Sequence, residues 1–185
     1  MPSTMRVAAI VTVLLSGCGS EAVPFDQALV LEPGAQLPDL PLRVWVSPAF
    51  SDEHREAVEA GAAWWNEQLP GVVASVGVSE RPACGDKPCC GVTVSYANLP
   101  VETARGAVKY HDGCQVELLL DPATIEDDDA QAIDGFVTRL VVHELAHVLL
   151  GPEHSEDPDN VLADSLTASS VSDEQVAMMR ERWGR

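Results

Sequence analysis

The stretch HELAHVLLGPEH, His143 to His154, contains the side chains best suited to chemistry. In an α-helix, residues four apart lie one turn up and about 40° round the axis, so His143 and His147 project from one face and can grip one cation. Glu144 stands about 100° round from His143, within reach of a water on that cation but not placed as a further ligand. Two imidazoles for Zn2+ and one carboxylate as general base is the chemistry this H-E-x-x-H spacing supports. Gly151 can take a positive φ and end the helix, and Pro152 prevents it from resuming. His154 follows where a chain that has turned back can bring a third imidazole to the same ion.

An element of some length must hold this stretch. Ile133, Val137, Leu140, Val141, Leu145 and Val148 recur at helical spacing and predict a helix from about Asp129 to Leu150 with a buried stripe. Ahead of it, Leu42 to Val46 reads as a first strand, and Ser51 as the cap of a helix running to about Leu69. Val58, Ala62, Trp65 and Leu69 form that helix's inner face. Val72 to Val78, Val92 to Tyr96 and Gln115 to Leu120 are apolar, β-branched runs that read as strands. Ala104 to Tyr110 is more polar and suits an edge strand whose open side can accept an extended peptide. After His154 comes an irregular stretch. Ser172 and Gln175 then have the spacing of a capping box for a last helix, on which Val176, Met179 and Trp183 are placed to pack.

Composition sets the frame. The chain has 185 residues, room for one domain with a proper core. Its 29 acidic against 11 basic residues give a formal charge of −18, which argues against a nucleic-acid partner because phosphate binding needs the opposite sign. Arg6 followed by the apolar run Val7 to Leu15 is too short for a stable membrane span and suits the core of a signal peptide. Leu15-Ser-Gly-Cys18 resembles a bacterial lipobox, which implies removal of residues 1–17 and a lipid on Cys18. With Gly19 next, an exported protein anchored at the outer membrane or cell surface is expected. Residues 18–41 read as a tether and residues 42–185 as the domain.

Four cysteines remain after cleavage, Cys84, Cys89, Cys90 and Cys114, an even count that in an exported chain reads as disulfides. Adjacent Cys89 and Cys90 should not pair, so Cys114 joins one of them and Cys84 the other. A Ca2+ loop is conceivable in Thr124 to Gln131, but its carboxylates are explained by their place at the start of the active-site helix.

The segment HELAHVLLGPEHSEDPDNVL, with the terminal VSDEQVAMMRERWG, resembles the matrixin branch of the metzincin metalloproteases. The resemblance implies an α+β, zincin-like domain. It would have a mixed twisted sheet with an edge strand along the cleft, a long active-site helix, a C-terminal helix, and a tight apolar turn beneath the metal. It implies one catalytic zinc on His143, His147 and His154, Glu144 as base and a polypeptide substrate. Two departures stand out. Gly151 and His154 lie four and seven residues after His147, one more than the family spacing, so Glu153 occupies the usual position of the third ligand. His154 is preferred because a turn can absorb the added residue and because His154–Ser155 continues the family pattern. In the turn Asn160-Val161-Leu162, Leu162 stands where Met is expected, and an apolar floor needs only bulk. Glu174 is a further conceivable ligand, better explained by its place in a first helical turn. The rival functional reading is a zincin-like surface domain that binds a protein partner without cleaving it.

Overall fold

The computed structural model describes residues 30–31, 38, 40–79, 83–84, 87–88, 91–99, 106–111, 114–123, 133–151, 154–163 and 170–183. In chain order the elements are β1 (Val30–Leu31), β2 (Leu42–Val46), α1 (Asp52–Gln68), β3 (Val73–Val78), β4 (Ala83–Cys84), β5 (Lys87–Pro88), β6 (Gly91–Tyr96), β7 (Gly106–Tyr110), β8 (Gln115–Leu120), α2 (Ile133–Leu150) and α3 (Asp173–Trp183). Six strands form one sheet in the order β1-β7-β8-β6-β2-β3, and β4 and β5 make a separate antiparallel pair. Within the sheet only β7 and β8 run antiparallel. The architecture is thus a mixed α/β sheet with three helices among the described residues.

Alternation builds the inner face. Leu42, Val44 and Val46 of β2, Val92 and Val94 of β6, and Val116, Leu118 and Leu120 of β8 are buried, and they join α1 and α2 in one core. Helix α1 starts as its sequence predicts, with Ser51 accepting a hydrogen bond from the His54 amide. It lies over β3, while α2 lies over β7 and β8, and the two helices pack on each other. Their approach is close: a Cβ on Gly61 would lie 2.8 Å from Val141 Cγ1. Trp65 seals the contact by donating its indole N–H to the Val142 carbonyl at 3.0 Å. Helix α2 is more deeply set than an amphipathic stripe implies. Val142, Ala146 and Leu149 are buried along with Val137, Leu140, Val141, Leu145 and Val148, so Leu140 to Leu149 face core on all sides. None of the helices is long and apolar enough to cross a membrane among the described residues.

Two features differ from the sequence reading. The outer side of β7, expected to be open, is met in parallel by β1, with Val30 opposite Lys109 and Leu31 opposite Tyr110. Pro38 is also buried and Leu40 packs against the core, so the folded body takes in parts of the stretch read as a tether. Isolated residues of low polarity in a Pro- and Gly-rich stretch carry no periodicity, which is why this docking leaves no local trace in the sequence. The start of the helix at residues 129–132, the acidic segment Thr124 to Gln131, Arg6, Cys18, Cys89 and Cys90 lie outside the described residues. Cys114 is disulfide-bonded, and its pairing likewise falls outside them.

Candidate metal centre

The centre is built from the last three turns of α2 and the chain that returns beneath it. His143 and His147 stand one turn apart with rings edge-on, centroids 4.8 Å apart at 75°. His154 closes the set: its ring centroid lies 5.4 Å from that of His143 and 5.1 Å from that of His147. One ligand atom from each of the three lies within 4.8 Å of the others. His143 and His147 are buried, and His154 is half-buried. Among the described residues no other cluster of His, Cys, Asp or Glu converges in this way. Glu174 is exposed in the first turn of α3 and takes no part, and Glu153 and Pro152 lie outside the described residues.

Hydrogen bonds fix which nitrogens face inward. His143 Nδ1 is 2.9 Å from the Val161 carbonyl, and His147 Nδ1 is 2.8 Å from the Gly151 carbonyl. A carbonyl oxygen only accepts, so each Nδ1 must carry the hydrogen, and each neutral ring therefore presents a lone pair at Nε2. Those two Nε2 atoms are 3.1 Å apart. Two lone pairs at that separation repel unless an electrophile lies beside both. Tetrahedral zinc, with Zn–N of about 2.0–2.1 Å, sets its ligand nitrogens about 3.3 Å apart. The donor set therefore fits zinc: three imidazoles, two of them oriented by backbone carbonyls in the manner of metal-bound histidines.

Gly151 has a second task beyond stopping the helix. Its φ of 125° is a conformation that side chains rarely tolerate. That conformation lets its N–H donate to the His147 carbonyl at 3.1 Å while its own carbonyl accepts from the ring of the same residue. Tyr110 of β7 donates its hydroxyl to the His147 carbonyl as well, at 3.0 Å, tying the sheet to the helix end.

The floor is the turn 160–163. Asn160 Oδ1 accepts from the Leu162 amide at 2.9 Å, and the Ala163 amide donates to the Asn160 carbonyl at 2.8 Å. This aims the Val161 carbonyl at His143 and buries Leu162. The Ser155 amide donates to the Leu162 carbonyl at 2.9 Å, so the residue after His154 is pinned to the same turn. Asn160 in turn exchanges two amide hydrogen bonds with Gln175, at 2.8 and 2.9 Å. Gln175 also completes the predicted capping box, its Oε1 accepting from the Ser172 amide and its own amide donating to Ser172 Oγ. Met179 of α3 is buried and Val176 packs on the core. The Trp183 side chain lies outside the described residues.

The structure brings together the three imidazoles named from the sequence, buries Glu144 and Leu162, and gives Gly151 a positive φ. The contacts made by Asn160, Gly106 and Tyr110 were not foreseen, although the turn and the strand that hold them were. The Asp-Pro-Asp-Asn run offered a turn signal at Asn160, but its partner Gln175 is set by the tertiary fold.

Burial is the largest cause pushing both helix-borne imidazoles to lower pKa. His143 falls well below the usual 6.5, helped by positive charge on His147 and His154 and opposed by the Val161 carbonyl. His147 is lowered to about 4, with the Gly151 carbonyl opposing and His154 assisting. Both are thus neutral at pH 7, the form that binds metal. Well above pH about 6.5 the folded and unfolded metal-free chains bind almost no protons at these sites, and stability is full. As pH falls from there, the unfolded chain takes up protons that the fold refuses, so stability is lost down to about pH 4 for His147 and further for His143. Denaturant midpoints of the chelator-treated protein should therefore fall steadily between pH 6.5 and pH 4. They should fall less steeply when both residues are replaced by Leu, and equal slopes would contradict the burial argument.

The arrangement is a buried helix carrying two histidines, a returning segment carrying a third, and a turn below. Its fold is similar to that of archaemetzincin from Methanopyrus kandleri, with 12% sequence identity, a TM-score of 0.55, and coverage of 81% of this chain and 100% of that one. No protein-family model matches the chain, and no curated protein matches it.

Proposed function

We propose that the chain is a zinc-dependent endopeptidase of the matrixin-like metzincin type, exported and held to a bacterial membrane by lipid on Cys18. The observation that carries the catalytic part is the convergence of three imidazoles, two with their tautomers fixed by backbone carbonyls, next to a fully buried glutamate. The neighbour whose fold it shares bears a metzincin name. The membrane part rests on the Leu15-to-Cys18 lipobox.

Zinc at His143, His147 and His154 would supply Lewis acidity, lowering the pKa of a water and polarising the scissile carbonyl. Glu144 accepts the proton of the attacking water and passes it to the departing amine nitrogen. Neutral His143 and His147 keep the site free of competing positive charge at pH 7. An extended peptide would lie antiparallel along the outer side of β7 at Gly106 to Val108, a stretch that no strand pairs from that side among the described residues. Backbone pairing recognises any peptide in this way, so the proposed substrate class is polypeptide, without a fixed side-chain motif.

The test is cleavage of casein by the purified full chain. Activity should vanish on treatment with a chelator and return on addition of zinc at one equivalent. One zinc per chain with no cleavage would instead support the partner-binding reading.

A further inference from the structure

We infer that Gly106 of β7 is a positioning residue for Glu144, a deduction that rests on the peptidase reading for its catalytic half and on geometry alone for its structural half. A Cβ built on Gly106 would lie 2.4 Å from Glu144 Oε1, 2.8 Å from Cδ and 3.1 Å from Cγ. Real Cβ atoms do not approach other heavy atoms so closely, so any side chain here must displace the carboxylate or the strand. The strand is the less movable partner. Gly106 is buried and stands opposite Leu120 in the antiparallel ladder with β8, and β7 is tied to α2 by the Tyr110 hydroxyl. The carboxylate would therefore give way.

Gly106 does not need glycine for its backbone. Its φ lies outside the left-handed region, in a strand that alanine can adopt. Its missing side chain is what matters. The bare Cα lets β7 close against α2 with the glutamate between them, so the strand that would carry the substrate backbone also forms the wall against which the base rests. Peptide and base are thereby held to one reference surface. Gly106 is also the residue of β7 that lies against Glu144, a register the sequence does not show.

The experiment is a double-mutant cycle of Gly106→Ala and Glu144→Ala on the full chain, read by thermal melting of metal-free protein and by zinc content. Gly106→Ala alone should lower the melting temperature by about 3–10 °C. In the Glu144→Ala background, where the carboxylate is gone, the same change should cost about 1 °C or less. If Gly106→Ala alone does not fold, a folded double variant supports the contact, and failure of both overturns it. An equal loss in both backgrounds also overturns it. For catalysis, folded Gly106→Ala should keep one zinc per chain and an unchanged KM while kcat drops about 100-fold. A rise in KM with kcat preserved would mean that Gly106 serves substrate binding alone. Coupling in the melts without any peptidase activity in the parent chain would leave the contact standing and remove the proposed function, so the two failures are distinguishable.

Discussion

Replacing Glu144 by Gln is expected to leave one metal ion per chain and lower turnover of a protein substrate on the order of 10²–10⁴-fold. The amide is isosteric, so it fills the same buried space against Gly106. What it lacks is basicity. An amide oxygen can accept a hydrogen bond but cannot take and return a proton at neutral pH. The loss should therefore fall on kcat, with KM and zinc content little changed. Parallel measurement of casein cleavage and zinc content checks this, and cleavage at the parental rate would remove Glu144 from the mechanism.

The second large effect is expected at His154. Replacement by Ala removes one of three protein ligands and should weaken zinc binding more than about 100-fold, beyond the loss caused by disturbing an outer partner alone. The metal-free fold should be little affected. The half-buried ring sits beside a backbone held independently by the Ser155 amide on Leu162, and α2 is secured by its own core contacts. Equilibrium dialysis against zinc, together with a melt of metal-free protein, separates the two effects. If His154→Ala retains zinc and activity while Glu153→Gln loses both, the added residue in the turn has not been absorbed and the carboxylate is the third ligand.

The parts of this centre that the sequence displays are those set by one helix. His143, Glu144 and His147 have their relative directions fixed by 3.6 residues per turn, and Gly151 declares the turn because few other residues can adopt its φ of 125°. The strands β2, β6 and β8 and the helix α1 are legible for the same reason, a local period of burial that survives in the composition of each segment. The contacts it conceals join distant segments. Asn160 and Gln175 are two ordinary polar residues until the fold brings α3 beside the turn 160–163. Gly106 is one glycine in a short strand until β7 is laid on Glu144. The docking of β1 on β7 is of this kind too, since two apolar residues make no pattern. Helix α2 reads as striped because its polar residues suggest an outward face, whereas Glu144 is buried against β7 and both histidines are buried with their rings on the carbonyls of Val161 and Gly151.

The most direct test of the account is X-ray absorption at the zinc edge on the purified full chain. Three imidazole nitrogens at about 2.0 Å, with light scatterers completing the shell, are predicted for zinc held by His143, His147 and His154. A shell dominated by sulfur, or one with fewer than three imidazoles, would contradict it.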